Sequence, residues 1–248
     1  MLKNISVKAI VLVILTTTSI AQSKKTSVSC RPGRAALAYF DQIHAQSFDI
    51  YLESIRPGQL SPELKAKLIA ILPKQDIINP SAQGWDKLAA LEPILKYYAR
   101  SSVLDLKVIR MGQAVVLFLA GAAVVISQEA LDLLTTKELQ AIIAHELGHE
   151  YFWNEWQQAR LNKQYEKMQE IELRCDGMAV MTMNQLGLDP SNLISAITKL
   201  TKSHVGPLAN EAYYPPLEER ITFIHTMIDM VKARGEVFGP GPLFRPNR

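Results

Sequence analysis

The chain has little of several things, and each shortage excludes a class of protein. Only two cysteines occur in 248 residues, Cys30 and Cys175, too few for a disulfide-stapled scaffold. Formal charge is +3, and Lys3 and Lys8 at the N-terminal end account for two of those charges, so nothing points to a nucleic-acid partner. The apolar run over residues 114–126 is thirteen residues long, short of the roughly 20 that a membrane-spanning helix needs. There is no internal repeat and no low-complexity tract. The two cysteines either form one bridge or leave Cys175 as a buried thiol, and the separation that decides this is not written in sequence.

What is present begins with a three-part leader. Lys3 and Lys8 supply its positive start, Ala9 to Leu15 an unbroken apolar stretch, and Ser19-Ile20-Ala21 a small-x-small cleavage site. Residues 1–21 therefore read as a signal peptide. The mature chain is expected to begin near Gln22, to be exported to the periplasm or the medium, and to keep no membrane span after cleavage. Cys30 lacks the leucine-rich approach of a lipoprotein cysteine.

Downstream, apolar residues recur at helical spacing from Arg34 to Glu53, and Pro57-Gly58 ends the pattern. Ser61 with Pro62 and Glu63 starts a second helix running to Leu72. A third is expected from Trp85 to Ser101, bent or restarted at Pro93. Leu104–Arg110, Gln113–Leu119 and Val124–Ser127 read as three short strands. Either one of their edges pairs with an extended peptide or the three make a plain structural sheet. Thr135 and Glu138 form a capping box that opens a further helix. The tail after Gly235 is rich in proline and glycine and reads as extended.

That last helix carries the chemistry. Residues 141–153 read AIIAHELGHEYFW, almost wholly apolar yet holding two histidines and two glutamates. Burying such groups is costly unless something pairs with them. His145 and His149 are four apart and project from one helix face, a spacing that suits two nitrogen ligands of one zinc ion. Glu146 lies about 100° round the helix, beside the ion rather than on it, where it can take a proton from a metal-bound water. His44, His204 and His225 are read instead as ordinary hydrogen-bonded core histidines. A third ligand is still needed. No histidine follows His149 within ten residues, so a second helix must provide it. Glu172 and Asp176, four apart, suit a ligand and a carboxylate that accepts the ring N–H of a ligand histidine. Glu166 and Glu170 are the competitors, neither with an aspartate four residues on.

The series Glu138-Leu139, His145-Glu146-Leu147-Gly148-His149, Glu172 with Asp176, and Pro215 to Ile221 resembles the M48 family of zinc metallopeptidases over roughly residues 104–228. Chain features place the resemblance with that family's soluble exported branch. It implies an α+β, mostly helical, zincin-like domain with a small β-sheet beside the active-site helix. It implies one Zn2+ per chain held by His145, His149 and Glu172, with Glu146 as base and Asp176 behind the ligands. Where many members carry a histidine before the proline, this chain has Tyr214; with Arg220 it is expected to face the substrate carbonyl, unless Arg220 pairs with Glu218 or Glu219. The expected organisation is signal peptide 1–21, an N-terminal helical segment 22–102 packed on the core, a metallopeptidase core 103–235 and a tail 236–248. The expected activity is an exported endopeptidase acting on misfolded or envelope proteins, with envelope proteins as partners. The rival expectation is a zinc-holding but catalytically idle chaperone or adaptor. A third is a closed structural site that takes in Cys175 or His204.

Overall fold

A computed structural model of the chain describes residues 31–43, 47–203 and 211–233. The leader, Cys30, His44, His204 and the C-terminal tail lie outside them. The architecture is mostly helical, with one small sheet, as expected of a zincin-like domain.

The first helical pattern is two helices, α1 (Arg31–Ile43) and α2 (Phe48–Ser54), rather than one. The second has its own start signal, because the Ser47 side chain accepts the Ile50 N–H. Helix α3 (Pro62–Ile69) opens at Ser61 as read but ends a turn early. The segment expected from Trp85 divides into α4 (Ala82–Ala89) and α5 (Glu92–Tyr97). Ser81 caps α4 ahead of Trp85, and Pro93 sits in the first turn of α5, so it starts a helix instead of bending one. Leu88, Leu91, Leu95 and Tyr98 are all buried, as their spacing implies.

Strands β1 (Asp105–Ile109), β2 (Val116–Leu119) and β3 (Ala123–Ser127) form a sheet in the order β1-β3-β2. Strand β3 is central and buried throughout, parallel to β1 and antiparallel to β2. Val116, Phe118, Val124 and Ile126 face the helices, while Leu117, Leu119, Ala123 and Val125 pack on Leu72 and Ile109. Helix α6 (Gln128–Leu133) follows directly, capped by Ser127.

Two long helices dominate the interior, α7 (Thr136–Leu161) and α8 (Tyr165–Gln185). The capping box of α7 is closed in both directions between Thr135 and Glu138. Glu138 also accepts from Ser195 and from Lys199, at 2.8 Å for the latter, which ties the start of α7 to α9 (Ser191–Ser203). Near its middle, α7 is held by a buried ion pair: Arg100 Nε donates to Glu150 Oε2 at 2.7 Å and its terminal nitrogen to Pro57 O at 2.9 Å. Helices α1 and α10 (Leu217–Ala233) cover α8. Among the described residues no helix is long and apolar enough to cross a membrane.

Candidate metal centre

The long helices α7 and α8 approach closely where the histidines lie, and Gly148 is the reason. A Cβ added there would meet the Cys175 backbone Cα at 3.2 Å and its side chain at 3.3 Å. With hydrogen in that position, α8 can bring Glu172 against the face of α7 that carries His145 and His149. The two imidazole centroids are 5.0 Å apart, nearly perpendicular. Nε2 of His145 lies 3.5 Å from Glu172 Oε2, and Nε2 of His149 lies 3.6 Å from Glu172 Oε1.

Those separations bear on whether a metal fits. Two ligands at about 2.0–2.1 Å from a tetrahedral zinc stand about 3.3 Å apart. The N···O distances are close to that edge, and the three groups are the nitrogen and oxygen donors that zinc accepts. Metal-competent atoms of His145, Glu146 and His149 also lie within 4.8 Å of one another. Glu172 is the better third ligand than Glu146 because its two oxygens each face one ring. Glu170 is engaged elsewhere, by Arg174 and by Lys167 at 3.1 Å, and Glu166 is exposed. Cys175 carries a free, buried thiol in the helix contact and is not among the clustered ligand atoms of the described residues. His225 is exposed on α10 rather than in the core, because the buried face of that helix is formed by Phe223, Ile224, Met227 and Ile228.

Behind the rings sits Asp176, with no exposed surface. Its Oδ1 is 2.8 Å from His145 Nδ1. The distance is that of a hydrogen bond, but the ring N–H points off the ideal line, so the attraction is chiefly one of charge. Arg220 closes the same carboxylate from the other side, Nε donating to Oδ2 at 2.9 Å and a terminal nitrogen to Oδ1 at 2.6 Å. Arg220 thus pairs with Asp176, not with Glu218 or Glu219. Two of its donors, Nε and one terminal nitrogen, hold that aspartate, while its charge also lies near Glu172 and Tyr214. Sequence spacing could not reveal this pair, since the partners are 44 residues apart.

Electrostatics follow from crowding charge in a dry place. Burial raises the Glu146 carboxyl to about 7, with Glu172 adding to the rise and His145 and the Phe118 backbone opposing it. Burial alone would depress His145, but Asp176 and Glu172 overcome it and hold the ring at about 9. His149 is depressed to about 4, chiefly by burial. For Glu172 the flanking imidazoles outweigh burial, and for Asp176 the Arg220 guanidinium does, so both carboxyls are lowered. A bound cation reverses such preferences, and its binding would displace the proton from His145. Tyr214 is about half exposed; loss of water around its hydroxyl, with the charges of Glu172 and Glu146 nearby, raises its pKa, so the phenol stays protonated.

The sheet reaches the centre through β2. Ser127 N–H donates to Val115 O at 2.8 Å, so in the antiparallel register Val116 and Phe118 turn their own N–H and C=O groups away from β3. The Phe118 N–H accordingly meets Glu146. Among the described residues no strand covers that outer edge of β2. No curated protein matches the chain. The model of peptidase family M48 matches residues 113–152, from the approach to β2 through the paired histidines, and over that strand–helix segment the chain is similar to peptidase family M48, a family of metalloproteases.

Proposed function

We propose that the protein is a zinc endopeptidase, with one zinc held by His145, His149 and Glu172. The observation that carries this reading is one carboxylate facing both Nε2 atoms at 3.5 and 3.6 Å, close to the spacing of about 3.3 Å between ligands of a tetrahedral zinc. When bound, zinc supplies Lewis acidity, polarising the scissile carbonyl and making water more acidic. Glu146, raised to about 7 and beside the ligands, takes the proton of the attacking water and returns it to the leaving amine. Asp176 and Arg220 act as positioning residues that fix the His145 ring. Tyr214 keeps its proton and can donate it as a hydrogen bond to the developing oxyanion. The uncovered edge of β2 aligns an extended substrate by backbone pairing.

The residues read as a leader make this an exported enzyme of the periplasm or the medium. Its substrates are then unfolded or misfolded proteins of the envelope, because an edge strand binds backbone that a folded protein does not offer. Glu146→Gln should keep the metal and lower casein hydrolysis by about 10²–10⁴-fold; His149→Ala should lose both metal and hydrolysis. A wild-type protein that holds zinc but cleaves no unfolded protein would favour the idle chaperone instead, and activity that survives Glu146→Gln would remove Glu146 from the role of base.

A further inference from the structure

The face of α7 that carries the paired imidazoles does not end with them. Trp153 follows His149 by four residues and Trp156 by seven, which puts both on the same side, one and two turns further along. Their rings stack, centroids 5.6 Å apart and planes 12° from parallel. Phe118 of β2 meets Trp153 edge-on at 6.4 Å, and the Arg160 guanidinium lies 5.3 Å over Trp156. All four side chains remain partly exposed, whereas Phe152, about 100° round the helix from Trp153, is buried against Tyr39 and Arg174. Aromatic surface is therefore left open along the line that leads from the histidines. The strip joins the centre on both elements, since the backbone N–H of Phe118 reaches Glu146 and Trp153 lies one turn from His149.

Resting on the metallopeptidase reading, we infer that Phe118, Trp153 and Trp156 form a subsite for an aromatic or large aliphatic side chain of the polypeptide substrate. Position fixes which residue it reads. One helical turn, about 5.4 Å, separates His149 from Trp153. An extended chain advances about 3.3 Å per residue, so the side chain on this shelf belongs to a residue within about two positions of the cleaved bond. The occupant is an extended chain because the shelf is bordered by the free backbone edge of β2, whose register sets alternate side chains towards α7. Arg160, over the Trp156 ring, closes the far end with a cation.

The test uses the full-length, zinc-loaded protein and matched peptides that differ only by Phe or Ala at each position flanking the cleaved bond. Wild type should prefer Phe at one such position by about tenfold in kcat/KM, the scale of one well-filled pocket. In Trp153→Ala and Trp156→Ala the preference should fall towards unity, mainly through KM. Trp153→Phe should retain most of it, as should Trp85→Phe, a tryptophan 53% exposed and outside the strip. The inference is overturned if wild type cleaves without that preference, or if folded Trp153→Ala and Trp156→Ala variants keep it. If wild type cleaves none of the peptides, the metallopeptidase reading fails, and a second measurement decides the subsite. Tryptophan fluorescence of Glu146→Gln/Trp85→Phe protein is titrated with the Phe peptide and its Ala twin. Saturable change with the Phe peptide alone sustains the subsite; equal or absent response overturns it.

Discussion

Alanine at Gly177 sets two effects of opposite sign against each other. Gly177 lies inside α8, one residue past Asp176. Helix propensity alone predicts that Gly177→Ala stabilises by about 1 kcal/mol. Packing predicts the reverse, because the new Cβ would sit 2.2 Å from Phe40 Cε2 and 2.4 Å from Phe40 Cζ. Ordinary carbon contact is about 3.5–4.0 Å, so the ring must retreat by more than an ångström. It has little room: Phe40 is 2% exposed, wedged against Tyr39 and Phe223. Overpacking costs about 1–3 kcal/mol; a clash at 2.2 Å with a buried ring calls on the upper part of that range, about 2–3 kcal/mol, and less the propensity gain leaves a net loss of about 1–2 kcal/mol. Phe40→Ala costs about 3–5 kcal/mol by itself, but it removes the obstacle. In that background Gly177→Ala should become stabilising by about 1 kcal/mol, a coupling of about 2–3 kcal/mol. Urea unfolding of wild type, both single variants and the double variant measures the four corners. The same sign for Gly177→Ala in both backgrounds would refute the packing account of how α1 seats on α8 behind the metal centre.

Two further perturbations separate charge from shape. Glu138 is 4% exposed; burial would raise its pKa, but Lys199, Ser195 and Thr135 hold it down at about 2, from an ordinary 4.5. A carboxyl depressed on folding contributes stability that is complete above about pH 4.5 and lost as pH falls through about 2. Glu138→Gln should therefore cost about 2 kcal/mol at pH 7, and its deficit against wild type should shrink steadily in urea melts taken from pH 5 to pH 2. A deficit that stays constant with pH would mean that lost hydrogen bonds, not charge, set the cost. At Asp176, Arg220→Lys keeps the charge but loses the two-pronged grip. Zinc affinity, measured by competition with a chelating dye, should fall about tenfold, and about 100-fold for Arg220→Met, the range for groups that support a ligand. An unaltered affinity in Arg220→Met would remove Arg220 from the support of His145.

Much of this was legible in the chain before any coordinates, for reasons that differ from element to element. The capping box at Thr135 and Glu138, the caps at Ser61 and the three short strands are local signals, decided by residues within a few positions of one another. The His145–His149 pair is equally local, since helix geometry alone puts both rings on one face. Sequence and structure part where a local signal lies inside a longer pattern or carries two meanings. The cap at Ser47 is hidden inside an apolar periodicity that continues across it, and Pro93 is compatible with either a bend or a restart, of which the structure shows the restart. The Asp176–Arg220 pair was out of reach because it depends on how α10 crosses α8. The tryptophans were in plain sight at positions four and seven after His149; their spacing was the usable signal, but only the partial exposure of both rings distinguishes an open shelf from interior packing.

The distance between helices is the quantity that sequence encodes least directly, yet here one residue carries most of it. His145 and His149 can share an ion with Glu172 only if α7 and α8 come close at one point along lengths of 26 and 21 residues. Gly148 lies between the two histidines, and the atoms a Cβ would crowd there are the Cα and Cβ of Cys175, at 3.2 and 3.3 Å, next to Asp176 and three residues after Glu172 in the chain. A larger residue at 148 would press on the segment that bears both carboxylates and move them away from the rings together. The glycine within the histidine motif is thus part of the metal site without offering it a single atom. The same argument gives Cys175 a reason for being small, because its side chain fills the space that Gly148 leaves. That role needs neither metal binding nor redox chemistry from the thiol, whose pKa burial pushes well above its usual value.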